Sequence, residues 1–96
     1  MTWIPVTPFD KAQGELQEAY RQVYALYPPE YAGEVDAVKR ADGGSDSIVA
    51  AHSLIPQALL HSMSAYGAML SPDLPLSRRR HEMIATVVSA LNACFY

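Results

Sequence analysis

The chain has 96 residues, of which half are hydrophobic, and its formal net charge is −3. This length suits one small domain spanning residues 1–96, and the acidic balance argues against nucleic-acid binding, which normally needs a basic surface. No apolar run approaches the ~20 residues that a membrane-spanning helix requires.

The first predicted element is a helix that opens near Asp10, a residue type that often caps helix N-termini. Gly14 should weaken this helix locally, by about 1 kcal/mol relative to alanine. Pro28 and Pro29 should end it. Its apolar residues recur at helical spacing and are Leu16, Tyr20, Val23, Tyr24 and Tyr27.

The middle of the chain is predicted to hold a short helix within residues 30–41 and a loop at residues 42–45. A second helix should run from Asp46 to about Leu54. Pro56 can begin the next helix, because the missing N–H of proline costs nothing in a first turn. Apolar residues then continue that helix at Leu59, Leu60, Met63, Tyr66, Met69 and Leu70.

The last predicted helix is capped by Ser77 and ends near Asn92, after a proline-containing break at residues 71–75. Its apolar residues follow the i, i+3, i+4, i+7 spacing, so we expect them to be buried. They are Ile84, Val87, Val88 and Leu91. No segment alternates apolar and polar residues long enough to indicate a strand, so the predicted fold is all-α, with short helices joined by proline turns.

Glu82 and Cys94 are the candidate chemical groups of this last helix. In one straight helix they would lie ~18 Å apart along the axis, so they could not touch. Asn92 tolerates the left-handed conformation, and we expect the chain to turn there. Cys94 would then lie near the start of a following helix, where amide dipoles favour a thiolate. On spacing alone, a solvated glutamate and a small buried cysteine are the commoner interpretation of these two residues.

The string from Glu82 to Tyr96 resembles the active-site segment of AhpD-like alkylhydroperoxidases, a branch of the carboxymuconolactone decarboxylase superfamily. In that family a second cysteine follows directly, completing a Cys-x-x-Cys pair, and a histidine follows four residues later. The resemblance therefore implies that this chain is the N-terminal portion of an AhpD-like domain and ends inside the motif. Further similarities lie at Trp3-Ile4, at Gly14-Glu15-Leu16, and at His52-Ser53-Leu54 followed by Pro56.

This resemblance implies a thiol-dependent peroxidase that reduces hydrogen peroxide or organic hydroperoxides. In the family, the residue at the position of Glu82 belongs to a proton relay with the later histidine. Cys94 matches the first cysteine of the redox pair, and Tyr96, between the two cysteines, could shape thiol reactivity. Ala93 stands where the family usually has glycine. The implied partners are a peroxide, a thiol reductant and further copies of the chain, and no cofactor is implied.

Two other functions stay open on the sequence. The decarboxylase branch of the superfamily does not need the cysteine pair, so Cys94 counts against that branch. A non-enzymatic helical assembly module would keep the fold without turnover, and the absence of a second cysteine favours it for the chain as written.

The remaining polar residues predict little further chemistry. His52, His61 and His81 share no metal-ligand spacing, so we expect no metal site, and we expect His81 to face solvent. A single cysteine and no charged-then-apolar leader at the N-terminus fit a reducing, cytoplasmic setting. We expect an apolar contact with another chain through the Met63–Met69 region or the last helix, because a chain this short leaves much of its surface unburied.

Overall fold

The computed structural model describes residues 3–32 and 47–94, and within these ranges the chain is helical and contains no β-strand. This confirms the predicted all-α fold. The α-helices are α1 (Gly14–Ala25), α2 (Ser47–Ala51), α3 (Pro56–Met69) and α4 (Arg78–Leu91), with short 3₁₀ helices at Phe9–Lys11 and Pro29–Ala32. None of these helices is long and apolar enough to cross a membrane. The loop predicted at residues 42–45, and most of the helix predicted within residues 30–41, lie outside the described ranges.

The segment predicted as the first helix forms two separate helices, the 3₁₀ helix at Phe9–Lys11 and α1. Asp10 lies in the 3₁₀ helix and α1 begins only at Gly14, so the prediction that Asp10 starts the helix is wrong. Gly14 has a φ of 58°, a left-handed conformation that glycine adopts without the steric cost of a Cβ atom. Gly14 therefore marks the entry into α1 and is not a weak point in its interior. The helix ends at Ala25, shortly before the two prolines, as that signal predicts.

The core lies between α1 and α3. Tyr20 and Val23 of α1 and Leu59 of α3 have no exposed surface, and complete burial of such a side chain contributes roughly 1.5–3 kcal/mol. Gly67 permits the close approach of the two helices, because a Cβ atom placed there would lie 2.7 Å from the Cβ atom of Leu26. Pro56 occupies the first turn of α3, as predicted. The other buried members of the core cluster are Ala12, Ala19, Val49 and Met63.

The segment before α1 is fixed to this core by two hydrogen bonds through Thr7. The Tyr20 hydroxyl donates to the Thr7 carbonyl oxygen at 2.7 Å, and the Thr7 N–H donates to Ser53 Oγ at 2.8 Å. Ser53 is buried in the turn between α2 and α3. The N-terminal segment is therefore tied to α1 on one side and to the α2–α3 turn on the other.

The predicted bounds of α4 are confirmed, whereas the predicted burial of its apolar side is wrong. Ser77 Oγ accepts a hydrogen bond from the Arg80 N–H at 3.4 Å, which is the expected cap. The less exposed residues of α4, such as Arg78 and Ser89, are polar. The helix thus turns its polar side toward the rest of the chain. The prediction failed because helical spacing shows which side of a helix is apolar and does not show whether another element covers that side. The four residues expected in the core are 53% (Ile84), 58% (Val87), 50% (Val88) and 82% (Leu91) exposed.

Candidate functional site

The C-terminal end of α4 is closed by a Schellman turn that fixes the backbone of Cys94. The Cys94 N–H donates to the Ser89 carbonyl at 2.9 Å, and the Ala93 N–H donates to the Ala90 carbonyl at 3.1 Å, which is the bond pattern of that motif. Ala93 supplies the left-handed residue, with a φ of 49°. Asn92 has a φ of −83°, so the prediction that the chain turns left-handed at Asn92 is wrong by one residue. Cys94 itself is exposed and forms no disulfide.

Glu82 lies in a three-residue cluster with Tyr31 and Arg78 near the other end of α4. The Tyr31 hydroxyl donates to Glu82 Oε1 at 2.8 Å, and Arg78 Nη1 lies 3.7 Å from the same oxygen. The Arg78 guanidinium also lies over the Tyr31 ring, 5.3 Å from its centroid, within the range of a cation–π contact. Because the Glu82 side chain is 47% exposed, water retains access to its carboxylate.

The hydroxyl of Tyr31 titrates differently in this cluster than in water. Burial, followed by the hydrogen bond to the Glu82 carboxylate, raises the pKa of the Tyr31 hydroxyl well above its usual range. Ionised Tyr31 would lose that hydrogen bond and place a second negative charge beside Glu82. Arg78 Nη1 is shielded from solvent and has no hydrogen-bond partner among the described residues, where Arg78 and Glu82 interact as an ion pair. Ion pairs with this much exposure stabilise a fold by about 0–1 kcal/mol.

The structure does not bring Glu82 and Cys94 together. Glu82 lies in the second turn of α4, whereas Cys94 is bonded to the carbonyl of Ser89 near its end. The seven residue steps from Glu82 to Ser89 alone span about 10 Å of helix. The two groups are therefore too far apart for direct proton transfer. Tyr96, the third predicted site residue, lies outside the described part of the chain.

A cleft of about 270 Å³ adjoins Arg78, between the C-terminal ends of α1 and α3 and the start of α4. This volume is slightly below the usual range for small-molecule pockets. His81 lines the cleft and is partly buried, so it faces solvent only in part. Within residues 3–32 and 47–94, no three His, Cys, Asp or Glu side chains are grouped closely enough to hold a metal ion. The apolar walls of the cleft include Leu26, Tyr27, Pro28, Leu70, Pro72 and Leu76.

Sequence reasoning missed Tyr31 and the cleft for the same reason. Tyr31 and Glu82 are 51 residues apart in the chain, and the walls of the cleft come from three separate segments. Helical periodicity reports neighbours within about one turn, so it contains no signal for such contacts. The contact between Arg78 and Glu82 was predictable from the sequence, because residues four apart on a helix are neighbours.

No family model, curated protein or solved structure matches this chain. The resemblance to AhpD-like domains therefore stays a prediction. The resemblance required the four apolar residues of the last helix to be buried, and their exposure in the described chain counts against it.

Proposed function

We propose that this domain takes part in the thiol-dependent reduction of peroxides. The observation that supports this proposal best is the exposed thiol of Cys94, which comes directly after a Schellman turn that fixes its backbone at the end of α4. An accessible sulfur on an ordered backbone meets the first requirement of redox chemistry, which is contact with a soluble substrate. A reducing, cytoplasmic setting and assembly into homo-oligomers belong to the same proposal.

The reaction needs two sulfurs. A thiolate attacks one oxygen of the peroxide, the O–O bond breaks, and water or an alcohol leaves with a proton, while the sulfur is oxidised to a sulfenic acid. A second thiol then condenses with the sulfenic acid, forming a disulfide and releasing water. Since the chain has one cysteine, the second sulfur must come from outside these 96 residues. A thiol reductant then returns both sulfurs to the reduced state.

The resemblance divides the roles between these groups. It assigns peroxide attack to the second cysteine and the resolving step to Cys94. Glu82 would orient a histidine that takes and returns the proton. The separation of Glu82 from Cys94 in the structure fits a relay that requires such an intermediate group, because direct proton transfer needs hydrogen-bond distance.

Peroxide consumption in the presence of a dithiol reductant tests this proposal. We expect the 96-residue chain to show no sustained turnover, and a form extended through the second cysteine and the histidine to be active. In the extended form, Cys94→Ser should prevent disulfide formation, and Glu82→Gln should slow thiol oxidation by about 10²-fold or more, the usual scale of lost acid–base assistance.

The outcomes separate the parts of the proposal. Full turnover by the 96-residue chain would refute the two-sulfur mechanism, and an inactive extended form would refute peroxidase activity. An extended form that is insensitive to Glu82→Gln would remove the relay role and leave the thiol chemistry intact.

A non-enzymatic helical assembly module is the second candidate, and the exposed apolar side of α4 favours it. Side chains of this size on one side of a helix are typical of an interaction surface. Self-association of the chain, combined with an extended form that consumes no peroxide, would select this function over the first.

A further inference from the structure

The exposed apolar residues of α4 form one continuous stripe, which we call the α4 stripe. At about 100° per residue, they lie within an arc of about 140°, and the spacing places Arg80 inside the same arc, one turn before the first of them. Every apolar member of the stripe is at least 50% exposed. The members are Met83, Ile84, Val87, Val88 and Leu91.

The two ends of α4 carry an unbalanced charge. Arg78, Arg79 and Arg80 occupy its first turn, which contains no acidic residue, although cations are unfavourable at the positive end of the helix dipole. Its last turn contains no basic residue, so no cation complements the negative end. Arg78 has Glu82 as a partner, whereas Arg79 and Arg80 are exposed and form no ion pair within the part of the chain that the structure describes.

Both imbalances are relieved when two copies of α4 lie side by side in opposite directions. Arg80 of one copy then lies at the C-terminal end of the other, where cations are favourable. One helix provides both complementary ends, which fits a second copy of the same chain better than an unrelated partner. A symmetric contact of this kind is the commonest arrangement in dimers.

We propose that the α4 stripe is the contact between two copies of this chain, antiparallel and symmetric about Val87. Residues equidistant from Val87 then oppose each other. Met83 of one copy packs against Leu91 of the other, since each is four residues away, and Arg80 lies level with Cys94, since each is seven residues away.

This arrangement gives Cys94 a charged neighbour from the second copy. A guanidinium beside a cysteine stabilises the thiolate, the reactive form of the sulfur. The second copy thereby contributes Arg80 to the site. This last consequence rests on the proposed thiol chemistry, whereas the contact itself depends only on the α4 stripe and the charges at its ends.

Sedimentation velocity over a range of protein concentrations tests the contact. The unmodified chain should form a reversible dimer, and Val87→Asp should abolish it, because the two carboxylates would meet near the symmetry axis. Ala85→Asp is the matched control, since Ala85 is also exposed and mid-helix but lies outside the α4 stripe, and it should leave the dimer intact. Circular dichroism should show equal helix content in both variants. A chain that stays monomeric at every concentration, or a dimer that tolerates Val87→Asp, would overturn the proposal.

Cross-linking with a short bismaleimide tests the direction and the register of the pair. In the Arg80→Cys variant, peptide mapping should find links between Cys94 of one copy and the introduced thiol of the other. A link within one chain would have to span the helix from residue 80 to Leu91, about 17 Å, and the turn beyond it, which exceeds the reach of a short reagent. The same reagent on Ala85→Cys should give little of the corresponding link. Links that join identical positions would indicate parallel helices and contradict the proposal, whatever the result of the peroxide assay.

Discussion

Among the described residues, Ala93 is the non-glycine residue with a positive φ. Its φ of 49° lies in the left-handed region, which costs a residue with a Cβ atom roughly 1–2 kcal/mol relative to glycine. The Schellman turn requires this conformation at that position, because two backbone hydrogen bonds depend on it.

We therefore predict that Ala93→Gly relieves about 1 kcal/mol of strain in the turn. The greater conformational entropy of glycine in the unfolded chain should offset part of this gain in stability. Hydrogen exchange of the Cys94 N–H, which closes the turn, should slow accordingly. Ala90→Gly is the control, because Ala90 lies inside α4 and glycine there should cost up to about 1 kcal/mol. Equal effects of the two substitutions would show that the turn is not strained.

The error of one residue at this turn has a physical origin. Asparagine tolerates the left-handed conformation, and that preference made Asn92 the predicted position. The end of a helix is set by its hydrogen bonds and by the residues beyond it, and helix ends vary by one or two residues around any local signal. The capping hydroxyl of Ser77, by contrast, was predictable, because the residues that it joins are only three apart.

The docking of the N-terminal segment depends on one chain of hydrogen bonds from Tyr20 through Thr7 to Ser53. Tyr20→Phe keeps the ring in the core and leaves the Thr7 carbonyl without this donor. We expect a loss of about 1–2 kcal/mol in the free energy of unfolding, measured by urea denaturation.

Ser53→Ala should cost a similar amount, because it removes the acceptor of the Thr7 N–H. The double variant should lose less than the sum of the two single losses, since both act on the same segment. Strict additivity would show that the two hydrogen bonds stabilise the fold independently.

The helices themselves were largely predictable from the sequence, whereas their surroundings were not. Proline stops and apolar spacing correctly predicted α3, with Pro56 in its first turn, and the bounds of α4. The same spacing also predicted that α4 is buried, which is wrong. Spacing defines a face, and only the tertiary structure decides what covers that face. For α1 and α3 each helix covers the other, and α4 has no such neighbour among the described elements.

At the scale of the whole molecule, the core and the candidate chemistry lie in different places. The core cluster is built from α1, α2, α3 and the residue Ala12, and no residue of α4 belongs to it. The Tyr31–Arg78–Glu82 cluster is partly solvated and connects α4 to the segment after α1. Substitutions on the α4 stripe can therefore alter assembly without removing core contacts, which makes the tests of assembly interpretable.

The free energy of unfolding at alkaline pH tests whether the fold keeps the hydroxyls of Tyr20 and Tyr31 protonated. Burial raises the pKa of the Tyr20 hydroxyl, and burial together with Glu82 raises that of Tyr31, from the usual value of 10. Below about pH 9 both hydroxyls are protonated in the folded and the unfolded chain, so neither makes stability depend on pH. As the pH rises through 10, the unfolded chain releases protons that the folded chain retains, and the free energy of unfolding must fall.

Urea denaturation at about pH 8 and about pH 11 should show this fall for the unmodified chain. Tyr20→Phe is less stable at the lower pH but should lose less stability between the two, because one of the two titrating groups is gone. Tyr31→Phe should also reduce the fall, because the pKa of its hydroxyl is likewise raised in the folded chain. Equal falls in the unmodified chain and both variants would mean that other groups cause the alkaline loss, and that neither hydroxyl is held protonated by the fold.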